Sequence, residues 1–172
     1  MFSLNKDEFE ALRILLKGIS QKQSNPVLIK LGDKLNKPRE IYLYIDGAAD
    51  LKSRTAGIGG VFYENEEEIF SFSEYLHDAT NNDAEYSALL HGLKVANELK
   101  IKTIIILADS ELVVKQVNGE YRVKHPRMKI LYKQVQNELI KFEKWSLKHV
   151  YREQNKRADE LSKLGRKKGP AA

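Results

Sequence analysis

The chain has 172 residues, enough for one ordinary domain with a sizeable core plus a short extension. Hydrophobic residues make up 42% and charged residues 31%, which excludes a disordered chain and fits a soluble globular one. There is no cysteine, which excludes disulfides, thiol catalysis and cysteine-ligated zinc, and a net charge of +5 permits a polyanionic partner such as nucleic acid without requiring one.

Taken in chain order, the first predicted element is a helix over 5–21, with Phe9, Leu12, Leu15, Leu16 and Ile19 at helical spacing and Asn5 and Glu8 placed as a capping box. Asn25-Pro26 then reads as an N-cap with a first-turn proline, followed by Leu28, Leu31 and Leu35 on one face. Residues 1–37 are therefore expected to form a helical hairpin, bounded by Lys37-Pro38. The mixed charges of the N-terminus do not read as a secretion signal, and no apolar run approaches the ~20 residues of a membrane span. No membrane association is expected, and a cysteine-free chain is compatible with a reducing cytoplasm, the expected location.

The rhythm then changes. IYLYID (41–46), GIGGVFYE (57–64) and EIFSFSEYL (68–76) read as three strands, the last two joined by an acidic turn. Residues 82–100 read as a helix with Leu89, Leu90, Leu93, Ala96 and Leu99 as its apolar stripe, and TIIILA (103–108) as a fourth strand. Two helices follow, a short one over 110–118 that Gly119 would terminate and a longer one over 126–142. WSLKHVY (145–151) is a fifth strand, and Asn155 is expected to cap a last helix running to Leu164. This order predicts an α/β fold with a five-stranded mixed sheet, three strands antiparallel and two added parallel. The domain is expected over 38–165, with 166–172 as a basic flexible tail.

Four acids stand at the ends of these elements. Asp46 closes the first strand and Asp109 the fourth, while Glu85 and Asp159 read as first-turn residues of helices. Each has an ordinary explanation: a first-turn acid favours the helix dipole, Asp109 or Ser110 could cap a helix, and Asp46-Gly47 could turn the chain. Together they suggest a cation site, because gathered carboxylates cost free energy unless a cation neutralises them. Oxygen ligands without His or Cys suit Mg2+ or Mn2+ rather than zinc. Two such ions about 4 Å apart can activate water and stabilise the leaving oxygen of a phosphodiester.

YIDGAA (44–49), TNNDAEYSAL (80–89), LADSELV (107–113) and REQNKRADELSK (152–163) resemble, in order, the four signature segments of ribonuclease H type 1. The resemblance covers roughly residues 40–165, and four segments in order are far more specific than any one. It implies a metal-dependent endonuclease that cuts the RNA strand of an RNA–DNA hybrid, leaving 5′-phosphate and 3′-hydroxyl ends. Asp46, Glu85, Asp109 and Asp159 would be the catalytic, metal-holding acids, with two Mg2+ ions that Mn2+ can replace. Gly47, Thr80, Asn81 and Asn82 would contact substrate: the asparagines grip the 2′-hydroxyl, and Thr80 helps hold a DNA-strand phosphate. The ordinary reading of the asparagines is as N-caps of the helix that carries Glu85, a role compatible with substrate contact.

The chain also departs from the family pattern. Lys52 replaces an asparagine that usually contacts substrate, and Glu111 replaces a glutamine and is assigned no substrate contact. The segment around 149–159 resembles shorter-loop archaeal and bacterial members, in which Arg152 would assist catalysis in place of a loop histidine. His149, ten residues before Asp159, falls within the fifth strand and reads as an ordinary edge histidine. A hybrid-binding module with little cleavage, and a DNA-junction or retroelement-derived nuclease of the same fold, are the alternatives. The role of the N-terminal hairpin and any protein partner stay open.

Overall fold

In the computed structural model, residues 6–19, 26, 40–50 and 52–169 are described. The chain divides into two units, Met1–Arg39 and Glu40–Ala172. In the first, α1 spans Lys6–Ile19, and Arg13 pairs with Glu10 one turn earlier at 2.7 Å. The second helix expected for the hairpin lies outside the described residues apart from Pro26.

The second unit is built on a five-stranded sheet of order β3-β2-β1-β4-β5. Its strands are β1 (Ile41–Asp50), β2 (Thr55–Glu64), β3 (Glu67–His77), β4 (Thr103–Ala108) and β5 (Lys144–His149). The first three form an antiparallel meander, while β4 pairs parallel to β1 and β5 parallel to β4, the expected mixed sheet. Asn65 and Glu66 both adopt positive φ (51° and 70°), and this two-residue turn matches the twist of the β2–β3 hairpin. The helices are α2 (Asn81–Glu98), α3 (Glu111–Val117), α4 (Pro126–Leu139) and α5 (Lys156–Lys167). Among the described residues, no helix is long and apolar enough to cross a membrane.

The core lies between the sheet and α2, α3 and α4. Leu43 and Ile45 of β1, Ile104 and Ile106 of β4, Leu89 and Leu93 of α2, Val113 of α3 and Val135 of α4 are all essentially fully buried. Each such side chain contributes roughly 1.5–3 kcal/mol over its exposed state, enough to hold a rigid sheet beneath a site that itself costs stability.

The other face of the sheet carries α5, which lies close where β2 presents Gly57 and Gly59 to it. A Cβ on Gly59 would fall 2.3 Å from the Ser162 backbone nitrogen. The expected helix end at Leu164 and the flexible tail from 166 are corrected here: α5 continues to Lys167, so Arg166 and Lys167 are helical. Gly165 packs on the Glu74 backbone and the Lys168 ammonium donates to the Ser73 carbonyl, which ties the last turn to β3.

The first strand is also longer than expected. IYLYID was read as ending at Asp46, but β1 runs four residues further, paired with β2 up to Asp50↔Thr55. What ends near Asp46 is the parallel ladder to β4, whose last pair is Ile45↔Ala108. Asp46 is the next residue on β1 and Asp109 the first residue after β4, which sets them side by side at the mouth of the sheet. An Asp46-Gly47 turn is thereby ruled out.

Candidate active site

One carboxylate oxygen each from Asp46, Glu85 and Asp109 lies within 4.8 Å of the other two. Three separate elements make this meeting: β1 supplies Asp46, the segment after β4 supplies Asp109, and α2 supplies Glu85. Gly47 lets α2 close on β1, since a Cβ there would stand 2.3 Å from the Glu85 backbone nitrogen. Asp46 is 6% exposed and Glu85 8%.

Such burial is costly for charge. Desolvation, with lesser pressure from Asp46 and Asp109, pushes the Glu85 carboxyl up to about 9, against a pull from the Gly47 backbone N–H. Burial likewise raises Asp46 to about 6; Asp109 and Asp159 add to the rise, while the Ser162 hydroxyl and Arg152 oppose it. Among the described residues, Glu85 Oε2 is buried without a hydrogen-bond partner. An orphaned acceptor beside two further carboxylates, with no nitrogen or sulfur donor among the three, is a donor set for a hard divalent cation.

The macrodipole does not account for Glu85. The expected first-turn position is corrected by the structure, where Thr80 is the N-cap and Asp83 the first-turn acid, with Glu85 beyond them. Thr80 and Asp83 form a reciprocal capping box: the Asp83 N–H donates to Thr80 Oγ1 at 3.2 Å, and the Thr80 N–H to Asp83 Oδ2 at 2.9 Å. The Thr80 hydroxyl donates to the same carboxylate at 2.9 Å. Capping therefore falls to Thr80, not to the asparagines. Asn81 lines the cleft, its Oδ1 accepting the Ala49 N–H at 2.9 Å, and Asn82 is exposed beside it.

Asp159 borders the same cleft, of about 350 Å3, together with Gly47, Arg152, Lys163 and Arg166. Its carboxylate is not part of the three-acid cluster. Arg152 Nη2 donates to Oδ1 at 2.7 Å and Lys163 Nζ to Oδ2 at 2.5 Å. Partial burial would raise Asp159, but these two cations win and hold it below the usual aspartate value. The same bond holds Arg152 above the ordinary arginine value, so it stays charged. Of the four expected acids, three thus gather within 4.8 Å and the fourth is paired with the chain's own cations.

Other expectations resolve simply. His149 is exposed on β5, its ring edge-on to Tyr151 at 5.8 Å, and does not line the cleft. Glu111 is paired with Lys115 at 2.6 Å, one turn along α3. Neither Asp109 nor Ser110 caps that helix through its side chain.

Two supporting residues escaped the sequence reading. Asn155, expected as a side-chain cap, makes no such bond; it is 1% exposed and donates through Nδ2 to the Ile45 carbonyl at 2.8 Å and to Asp109 Oδ1 at 3.1 Å. It thereby pins Asp109 to β1. Ser162, fully buried, donates to Asp46 Oδ2. The signal was present, since Asn155, Asp159 and Ser162 recur at i, i+4 and i+7 on one helical face.

A sheet of this order with acids converging at the end of its parallel ladder defines a ribonuclease H-like domain. Residues 44–165 match the family model described as reverse transcriptase-like. The ribonuclease HI of Halobacterium salinarum is 32% identical over 123 residues, 71% of this chain and 62% of that protein. The solved N-terminal ribonuclease H domain of Rv2228c from Mycobacterium tuberculosis superposes with a TM-score of 0.72 at 31% identity, covering 76% of this chain and 96% of that one. LC11-RNase H1, isolated from compost by a metagenomic approach and solved with an RNA/DNA hybrid, gives a TM-score of 0.70 at 31% identity, covering 76% and 99%. The chain belongs to the ribonuclease H type 1 family. It spans about 62% of the length of the Halobacterium relative and about 34% of the full-length bifunctional protein Rv2228c.

Proposed function

We propose that this chain is a magnesium-dependent endoribonuclease that hydrolyses the RNA strand of RNA–DNA hybrids, leaving 5′-phosphate and 3′-hydroxyl ends, with manganese able to substitute. The observation that carries the reading is the convergence of Asp46, Glu85 and Asp109 within 4.8 Å, two of them buried. Those three acids would hold the cations, and Asp159 would join them on release from Arg152 and Lys163. Divalent cations supply the activation of water and the stabilisation of a leaving oxygen in such chemistry.

The chain's own groups do the rest. Arg152, charged at any working pH, offsets phosphate charge but moves no proton. Asn81 has its carbonyl oxygen committed to Ala49, which leaves its NH2 to donate to a ribose hydroxyl, the group that separates RNA from DNA. Gly47 lines the cleft, where its backbone is placed to meet a sugar-phosphate, while its missing side chain makes room for α2. Asn82, exposed beside Asn81, is a second polar contact. Thr80 contributes by capping the turn that presents both asparagines. The hybrid-bound LC11-RNase H1 supports the substrate choice. A cytoplasmic site of action suits a chain without cysteine.

The test is incubation of the protein with magnesium and labelled RNA–DNA hybrid, RNA duplex and DNA duplex, alongside Asp109→Asn. Cutting confined to the RNA of the hybrid, lost in the variant while its cooperative melt persists, is the expected result. Metal-independent binding without cutting, or cutting of DNA alone, would overturn the reading.

A further inference from the structure

The buried face of α5 holds Ala158, Leu161, Ser162 and Gly165, three of them without a hydrogen-bonding side chain. Ser162 is the exception, and it is fully buried. Its hydroxyl sits between two acceptors, Asp46 Oδ2 and the Asp159 carbonyl, the latter at 2.9 Å. The helix carbonyl alone would satisfy a buried serine. A hydroxyl has one proton, however, and a carboxylate is the stronger acceptor, so the proton goes to Asp46.

The backbone is shaped to allow this. A Cβ on Gly59 would meet the Ser162 nitrogen at 2.3 Å and the Ala158 carbonyl oxygen at 2.6 Å, so only a glycine on β2 lets α5 come near enough to reach β1. Among the described residues, the Ser162 hydroxyl is the side-chain donor to Asp46.

We propose that Ser162 is a positioning residue for Asp46, holding one carboxylate oxygen so that the group is aimed at the space shared with Glu85 and Asp109, where a divalent cation binds. This rests on the metal-binding reading above. Groups that orient a ligand from behind typically control metal affinity by 10–100-fold.

The test is calorimetric titration of the full chain and its Ser162→Ala variant with MnCl2 and with MgCl2, alongside melting curves in chelator. The variant is expected to bind each ion at least about 10-fold more weakly. Its metal-free melting midpoint should fall by about a few degrees, because Asp46 Oδ2 loses its hydroxyl donor. In hybrid cleavage, the metal concentration for half-maximal rate should rise in parallel, with KM for hybrid unchanged and kcat recovered at saturating metal. An unchanged dissociation constant in Ser162→Ala, with or without a lower melting midpoint, overturns the assignment and leaves the metal site standing. A parent protein that takes up neither ion overturns both.

Discussion

Glu85→Gln gives the sharpest energetic test of the site. In the metal-free protein, burial lifts the Glu85 carboxyl from 4.5 to about 9. A carboxyl raised on folding contributes stability that is fully present below its unfolded value and is lost as pH rises towards the folded one. Asp46, raised from 3.8 to about 6, acts in the same direction over a lower window. Asp159 is lowered and acts oppositely, contributing stability above 3.8 that is lost on acidification. Between pH 6 and 8 the slope therefore belongs to Glu85. Each pH unit there costs about 1.4 kcal/mol, so the metal-free protein loses about 3 kcal/mol across the interval. At 2–4 °C per kcal/mol for a chain of this size, the melting midpoint should fall by roughly 6–12 °C. Gln cannot ionise, so the variant should lose this slope and melt higher than the parent at pH 8 in chelator. Magnesium should reverse the order by stabilising the parent and not the variant. The assay is a set of thermal melts at pH 6, 7 and 8 with chelator or magnesium. Parallel pH profiles for the two proteins in chelator would refute the reasoning.

Three further outcomes follow from the same geometry. Arg152→Gln frees Asp159 from one cation and removes a charge from the cleft; single-turnover cleavage should slow by roughly 100-fold, with hybrid affinity in a binding assay changed far less. Asn155→Ala strips the donor from the Ile45 carbonyl and from Asp109, and denaturant titration should show a loss of about 1–3 kcal/mol together with weaker cleavage. Gly59→Ala drives a methyl into the α5 backbone, so urea melts should register about 1–3 kcal/mol of destabilisation, and cleavage should fall because Asp159 and Ser162 ride on that helix.

Much of the fold was legible because its signals are local. The apolar run TIIILA is β4 to the residue, and the change from strand to helix periodicity marked the mixed sheet. Asp46 and Asp109 stood out because a carboxylate directly after an apolar run is out of place unless it has a use. What stayed hidden depends on partners distant in sequence. Asp46 reads as a strand end, yet the strand continues, because β2 keeps pairing after β4 has stopped. Asn155 looks like a cap, yet its amide spends itself on residues 110 and 46 positions away. Ser162 passes for a helix-face residue until Gly59 brings it onto Asp46. Asp159 was expected as a fourth metal-holding acid; it borders the cleft, and its capture by Arg152 and Lys163 follows from side-chain reach that spacing does not encode.

The central claim is that Asp46, Glu85 and Asp109 form one cation site. Crystals grown with Mn2+ and measured at the manganese absorption edge test it directly. An anomalous peak within bonding distance of all three carboxylates is the predicted result, and a map with no peak there, at a manganese concentration that supports hybrid cleavage, would contradict it.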